Sequence, residues 1–239
     1  MSKLIIITIS IFSFLFSGSI EGTVSYIMSK GGSTLKGMDS DPVCGMAHSV
    51  PPKDENWMLN ENNQFQNVIV WLKNVEYSGE LDTTTAIIDQ INCLYTPHMN
   101  IITSKQKVLL KNSDATPHNI NSQHPNSAFA FNEQTPPDES VTKNFGTTDE
   151  PFLLKCDIHG WMRSWVLVSD HPFHAITDEN GYFKIDNIPN GTYEIAYFQE
   201  KLITGLPSSF NIPLNTSKVT VTDDGTANAD FVFERPTKK

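Results

Sequence analysis

Absences narrow this 239-residue chain before any motif does. Basic residues are scarce: 17 Lys and Arg stand against 27 Asp and Glu, a formal charge of -10. A nucleic-acid binder needs a basic face to displace counterions from phosphates, so the balance argues against that class. Charged residues of either sign make up only 18% and hydrophobic residues 38%, the balance of a globular chain and not of a disordered acidic tail. Sustained helical periodicity is missing as well. Past the first twenty residues no window carries an apolar i, i+3, i+4, i+7 stripe over three turns. No Ser-His-Asp order, phosphate-cradling glycine loop or convincing carboxylate pair is present, so the chain reads as a non-enzyme. Cysteine is rare too, at three residues, Cys44, Cys93 and Cys156. The odd count leaves at least one thiol outside any disulfide within the chain.

The one long hydrophobic run lies at the start. Residues 1–19, MSKLIIITISIFSFLFSGS, place Lys3 before an apolar stretch that ends at Phe16, followed by small residues. This is the pattern of a cleaved secretory signal, and the run is shorter than the roughly 20 residues a spanning helix needs. The expectation is a periplasmic or secreted protein, in which loss of Lys3 takes the formal charge from -10 to -11. Export also makes a disulfide chemically permissible.

The rest reads as all-β. Short β-branched and aromatic runs recur at 23–27, 68–72, 100–102, 107–110, 152–155, 165–168, 182–185, 193–198, 218–221 and 230–233, separated by Gly, Pro, Asn and Asp. Such punctuation suggests sandwiches or barrels. Residues 31–63 and 121–139 read as long loops, functional or poorly ordered. Asp178-Glu179-Asn180-Gly181 reads as a hairpin turn feeding an alternating strand, Ile188-Pro189-Asn190-Gly191 as a second turn, and Asp223-Asp224-Gly225 as a third.

The chemistry concentrates in Lys155-Cys156-Asp157-Ile158-His159-Gly160-Trp161-Met162, where Cys, His and Met fall at C-x2-H-x2-M between two strand-like runs. A thiolate, an imidazole and a thioether suit copper, not magnesium or calcium. A trigonal site needs a second imidazole. His118, at the end of the run 107–110 and 38 residues before Cys156, supplies one. The implied site holds His118, Cys156 and His159 in a plane, with Met162 as a weak axial ligand.

These residues resemble a known family. Residues 95–119, YTPHMNIITSKQKVLLKNSDATPHN, are similar to the strand–turn–strand of small blue copper proteins, the cupredoxins, that ends in Pro-His-Asn. The Cys156–Met162 loop is similar to the short ligand loop of the plastocyanin/amicyanin type. The resemblance spans about 82–170. It implies a Greek-key sandwich with one mononuclear type 1 copper held by His118, Cys156, His159 and Met162. It further implies that Asn119 ties the two ligand loops together, and that the His159 ring edge reaches the surface beside an apolar docking patch of Pro117 and Trp161. A Pro-rich excursion between His118 and Cys156, and the pair Cys93 and His98, depart from the family's pattern. Residues 175–198, with TDENGYFKIDNIPNGTYEIAYF, are similar to the carboxypeptidase regulatory-like domain, a small transthyretin-like sandwich. The whole layout resembles exported bacterial plastocyanin-like or "methylamine utilization" proteins.

The expected organisation is a leader at 1–19, an N-terminal β segment with a long loop at 20–81, the copper domain at 82–170 and the regulatory-like sandwich at 171–239. The run 68–72 starts either sandwich, so the copper domain stands beside the small sandwich or is inserted in it. Cys44 and Cys93 remain for a disulfide, or for a second metal site with His48 and His98. His171 and His174 read as a hydrogen-bonded linker, His124 as an exposed loop residue, and Trp57, Trp71 and Trp165 as core. The function this implies is one-electron transfer between redox partners, with a basic partner such as a cytochrome steered by the acidic surface. Copper buffering or delivery by the same site is the alternative; a copper-enzyme subunit and a surface-binding module rank below it.

Overall fold

The computed structural model describes residues 17–27, 32–202, 215–222 and 225–233. The leader up to Phe16 and the pair Asp223 and Asp224 lie outside the described residues. The N-terminal segment supplies β1 (Ser17–Tyr26), the five-residue α1 (Pro42–Met46) and β2 (Ile69–Lys73). The middle segment supplies β3 (Ala86–Ile91), β4 (Leu94–Thr96), β5 (Met99–Thr103), β6 (Val108–Asn112), β7 (His118–Ser122), β8 (Phe131–Thr135), β9 (Ser140–Lys143), β10 (Phe152–Lys155) and β11 (Arg163–Ser169). The remainder supplies β12 (His174–Ile176), β13 (Tyr182–Pro189), β14 (Gly191–Phe198), β15 (Asn215–Val221), β16 (Thr226–Asn228) and β17 (Phe231–Phe233). The protein is all-β; among the described residues helix is confined to single turns and α1.

Two sandwiches result. In the first, the sheet β13-β1-β16, with β17 also paired to β1, faces the sheet β12-β2-β14-β15. Its core includes Ile20, Val24, Phe65, Val70, Phe183 and Ile195. In the second, the sheet β5-β11-β10-β7-β8 faces β4-β3-β6-β9 around Ile88, Leu110, Ile120, Leu154 and Val166. Since β2 pairs with β12 and β14, strands from both sides of the middle segment build the first sandwich. The run 68–72 thus belongs to that sandwich, and the middle segment is inserted into it.

Two strands explain why their sequences are apolar without alternation. In β2, Val70 and Leu72 face the first core, while Ile69 and Trp71 face outward. In β11, Val166 and Val168 face the second core, while Trp165 and Leu167 face outward. The outward sets meet, with Met99, Ala196 and Phe198, in a third cluster that joins the sandwiches. A strand covered on both faces carries a continuous hydrophobic run.

Several expectations change. Residues 121–139 were expected as a loop, but β8 lies inside them and pairs with β7 from His118↔Thr135 to Ser122↔Phe131. Its sequence FNEQT is polar at every position but Phe131 because it is an edge strand with little to bury. The Asp178 turn forms, with Asp178 accepting from Asn180 N and Tyr182 N, but it joins β12 to β13 across the two sheets and is a sandwich corner, not a hairpin. Gly181 there has φ +66, and a Cβ would lie 2.7 Å from the Val24 carbonyl oxygen. Residues 17–19, read as the end of the leader, stand in β1. Gly18 is small because a Cβ would meet the Gly225 oxygen at 2.5 Å. His124 is buried, not exposed: Phe129, Phe145 and Phe152 surround its ring, and the Asn126 and Gly146 carbonyls face its two nitrogens. His174 lies in β12 and His171 is buried just before it.

A buried ionic contact reinforces the junction. His98 Nε2 lies 2.5 Å from Glu200, whose other oxygen accepts the Trp165 indole N–H at 2.7 Å, and Glu55 is 4.0 Å from His98 Nδ1. Burial opposes a charge on His98, but Glu200 and then Glu55 outweigh it, so its pKa is raised above 6.5. A raised folded value contributes stability that is complete below the unfolded pKa and lost as pH climbs through the folded one. Urea unfolding is therefore expected to show stability falling above about pH 6.5 in the wild type, with a shallower slope in His98→Gln. Equal slopes would show that the contact is uncharged.

Candidate metal centre

The centre is built at one end of the second sandwich. Strand β7 begins at His118, directly after Thr116-Pro117, and the turn between β10 and β11 carries Cys156, His159 and Met162. That turn closes on itself: Cys156 N donates to Met162 O at 3.1 Å and Met162 N to His159 O at 2.9 Å. The His159 N–H points back to the Cys156 sulfur at 3.4 Å. His118, Cys156 and His159 bring ligand atoms within 4.8 Å of one another, and all three are buried. Met162 is 1% exposed in the same core cluster as Cys156.

The geometry selects which nitrogens face inward. His118 Nδ1 and His159 Nδ1 lie 2.8 Å apart, and His159 Nδ1 is 3.9 Å from Cys156 Sγ. The outer nitrogens both meet carboxylates, His118 Nε2 at Asp114 (2.9 Å) and His159 Nε2 at Asp41 (3.1 Å). An ionised carboxylate only accepts, so each Nε2 carries a proton and each Nδ1 turns a lone pair inward. Two such lone pairs at this separation need a positive charge between them, a proton or a metal ion. The residues present therefore fit a soft or borderline cation with a thiolate and two imidazoles.

Electrostatics agree. Burial alone would lower the His118 pKa, but Asp114 and the Cys156 sulfur push it up to about 9. Burial would raise the Cys156 thiol, but hydrogen bonding from His118 and from backbone N–H groups lowers it. The lowered thiol pKa eases loss of the proton that a metal ion displaces from its cysteine ligand.

Asn119 bonds directly to the turn that carries Cys156. Its Oδ1 accepts from Asp157 N at 2.7 Å, Cys156 Sγ at 3.4 Å and Ile158 N at 3.4 Å. Its amide donates to Asn132 and Asp157, and Asn121 and Asn132 donate to the same Asp157 oxygen. These bonds, with Lys155, hold the Asp157 carboxyl down at about 2. Beneath, Tyr95 Oη and Gln90 Nε2 both donate to the Asn119 carbonyl.

The surface expectation for His159 is overturned. Its ring is 3% exposed, because residues 38–46 lie across it: Asp41 takes its Nε2–H and Cys44 Sγ sits 3.9 Å from the same nitrogen. Trp161 packs against the ring at a tilt, centroids 5.1 Å apart. The second metal site expected as an alternative is also overturned. Cys44 and Cys93 form a disulfide, His48 Nε2 contacts the Asn92 carbonyl, and His98 contacts Glu200. Sequence reasoning missed Asp41 and Asp114. Asp114 has a faint local signal, a carboxylate four residues before His118. Asp41 was legible only as the cap of α1, its Oδ1 accepting from Val43 N and Cys44 N.

No protein-family model and no curated protein matches the sequence. Among solved structures, a Cu(I) form of an amicyanin variant aligns with TM-score 0.31 and 17% identity, over 36% of this chain and 82% of its own. A purple cupredoxin from Nitrosopumilus maritimus aligns with TM-score 0.29 and 24% identity, over 37% of this chain and 100% of its own. A copper-containing nitrite reductase from Thermus scotoductus SA-01 aligns with TM-score 0.34 and 14% identity, over 41% of this chain and 25% of its own. No helix among the described residues is long and apolar enough to cross a membrane.

Proposed function

We propose that this chain is an exported one-electron carrier with a single type 1 copper held by His118, Cys156 and His159, with Met162 as the weak fourth ligand. The observation that carries the reading is the facing pair of Nδ1 atoms beside the Cys156 thiol, each imidazole fixed from behind by a carboxylate. Copper bound there supplies one-electron chemistry. The chain's own residues do the rest: Asp41 and Asp114 fix the imidazole tautomers, Asn119 holds the Cys156 loop, and the apolar core around Met162 excludes water. Rigid ligands keep the geometry nearly constant between oxidation states, which favours fast transfer. The formal charge of -10 favours a basic protein partner, such as a cytochrome.

Copper buffering or delivery by the same site is the second reading, favoured by the cover over His159. Reversible oxidation and reduction without loss of metal supports the carrier, and ready surrender of copper to a chelator supports buffering. The first test is addition of Cu(II) to the metal-free protein, which is expected to give an intense visible charge-transfer band. No binding, or colourless binding, overturns the reading.

Asn119→Ala tests the loop tie. It leaves two backbone N–H groups and the thiol without their shared acceptor, an expected cost of about 1–3 kcal/mol. Affinity is expected to fall by about 10- to 100-fold, measured by chelator competition. Unchanged affinity would show that the turn holds its own shape.

A further inference from the structure

The proposed ligands are sealed: His118, Cys156, His159 and Met162 are all 3% exposed or less. Metal therefore needs a door. On the His159 side the cover is residues 32–57, which hold mainly to themselves. Leu35 N donates to Pro52 O, Asp54 N to Ser33 O, and Thr34 bridges to Lys53. Their ties to the sandwich are few. Met38 and Leu35 pack on its core, Asp41 reaches Thr116 and His159, His48 reaches Asn92, and the Cys44–Cys93 disulfide makes the one covalent link. The 54–57 end is the fixed one, a hinge: Asp54 pairs with Lys201, Glu55 lies near His98, Asn56 O accepts from Gln199, and Trp57 packs on Tyr26 and Phe65.

The disulfide occupies a particular place. Cys44 lies with Asp41 against His159, and Cys93 lies with Asp114 against His118, each trio offering atoms within 4.8 Å of one another. Cys93 N donates to the same Asp114 oxygen that faces His118 Nε2, and the Cys93 carbonyl accepts from the Trp161 indole. The bond thus ties the group behind one imidazole to the group behind the other.

We propose that the Cys44–Cys93 disulfide is the lock on a lid formed by residues 32–57, and that its redox state governs access to the His118–Cys156–His159 pocket. As a route for metal it rests on the copper reading; as a route to Cys156 it does not. Opening takes two electrons and two protons from a dithiol reductant. The Cys44–Cys93 S–S bond breaks, two thiols form, and the reductant is oxidised to its own disulfide. The lid then lifts, Asp41 leaves His159, and the pocket admits or releases its ion. Reoxidation by a disulfide donor closes it.

Cys156 is the free cysteine, so its alkylation by a maleimide in the metal-free protein reads the door directly. In the Cys44→Ser/Cys93→Ser double variant, Cys156 is expected to react faster by about a hundredfold or more, because a cross-link that suppresses local opening is gone. Hydrogen exchange at β11 should stay as slow as in the wild type, showing that the lid alone has opened. An equal alkylation rate, or one that rises only together with β11 exchange, overturns the proposal. If the double variant does not fold, the wild type is reduced with a phosphine under native conditions and labelling of the Cys156 peptide is followed by mass spectrometry. The same two outcomes then decide. Copper uptake is followed separately. A fast-labelling variant that takes up no copper retains the lid and removes the copper reading. A variant that labels fast but loads and releases copper no faster than wild type overturns the lid as a metal door.

Discussion

Replacing Cys156 with serine is expected to abolish the intense visible absorption of the Cu(II)-loaded protein, leaving at most a weak ligand-field colour. The band arises from charge transfer out of a thiolate sulfur, and a serine hydroxyl oxygen is a harder donor that remains protonated at neutral pH. The substitution is nearly isosteric, so the fold should survive, and circular dichroism is expected to match the wild type. The Asn119 amide, which accepts from the thiol, can accept equally from a hydroxyl. Met162→Leu is the companion variant. It conserves volume in a buried position, typically at a cost below about 1.5 kcal/mol. It is expected to keep the band and copper while shifting the reduction potential, because a weak axial ligand tunes the site without holding it. A full-strength band in Cys156→Ser would place the copper on other residues.

Trp165→Ala is expected to bring the largest loss of stability away from the centre. Its indole is 3% exposed, packs on Phe198 with centroids 4.7 Å apart, and donates to Glu200 at 2.7 Å. Truncating a buried tryptophan costs about 3–5 kcal/mol through lost burial and the cavity left behind. Here the cavity opens between the sandwiches, where Ile69, Trp71, Met99 and Phe198 meet. Chemical denaturation is expected to show a lower midpoint and a transition that divides in two, one for each sandwich. Trp165→Phe keeps most of the packing and removes the donor to Glu200, with an expected loss of about 1–3 kcal/mol. If Trp165→Ala costs less than about 1 kcal/mol, the junction is not where the two sandwiches are coupled.

Much of the strand content was legible because each run is short, apolar and bounded by turn residues. All ten runs read from the sequence lie in or overlap strands. The strands not read, such as β8 and β9, are mostly polar and are held by neighbours: β8 by β7, and β9 by β6. Nothing local distinguishes such edge strands from loops. The short Cys156–Met162 turn was legible for the opposite reason, since spacing within eight residues fixes which side chains share one turn.

The sequence by itself determined an all-β chain, three candidate donors in one turn, a fourth upstream at His118, and an odd thiol set apart from two cysteines. Those properties depend on residue type and on spacing along the chain. Only the tertiary structure decided what lies behind the donors. Asp41 reaches His159 across 118 residues and Cys44 joins Cys93 across 49. Contacts of that range depend on how the lid and the sandwich pack, so no local pattern encodes them. In the structure the continuous run of β2 is buried on both faces. That one face meets the small sandwich and the other Trp165 and Leu167 of the second was settled by packing, because a hydrophobic face specifies burial and not its partner.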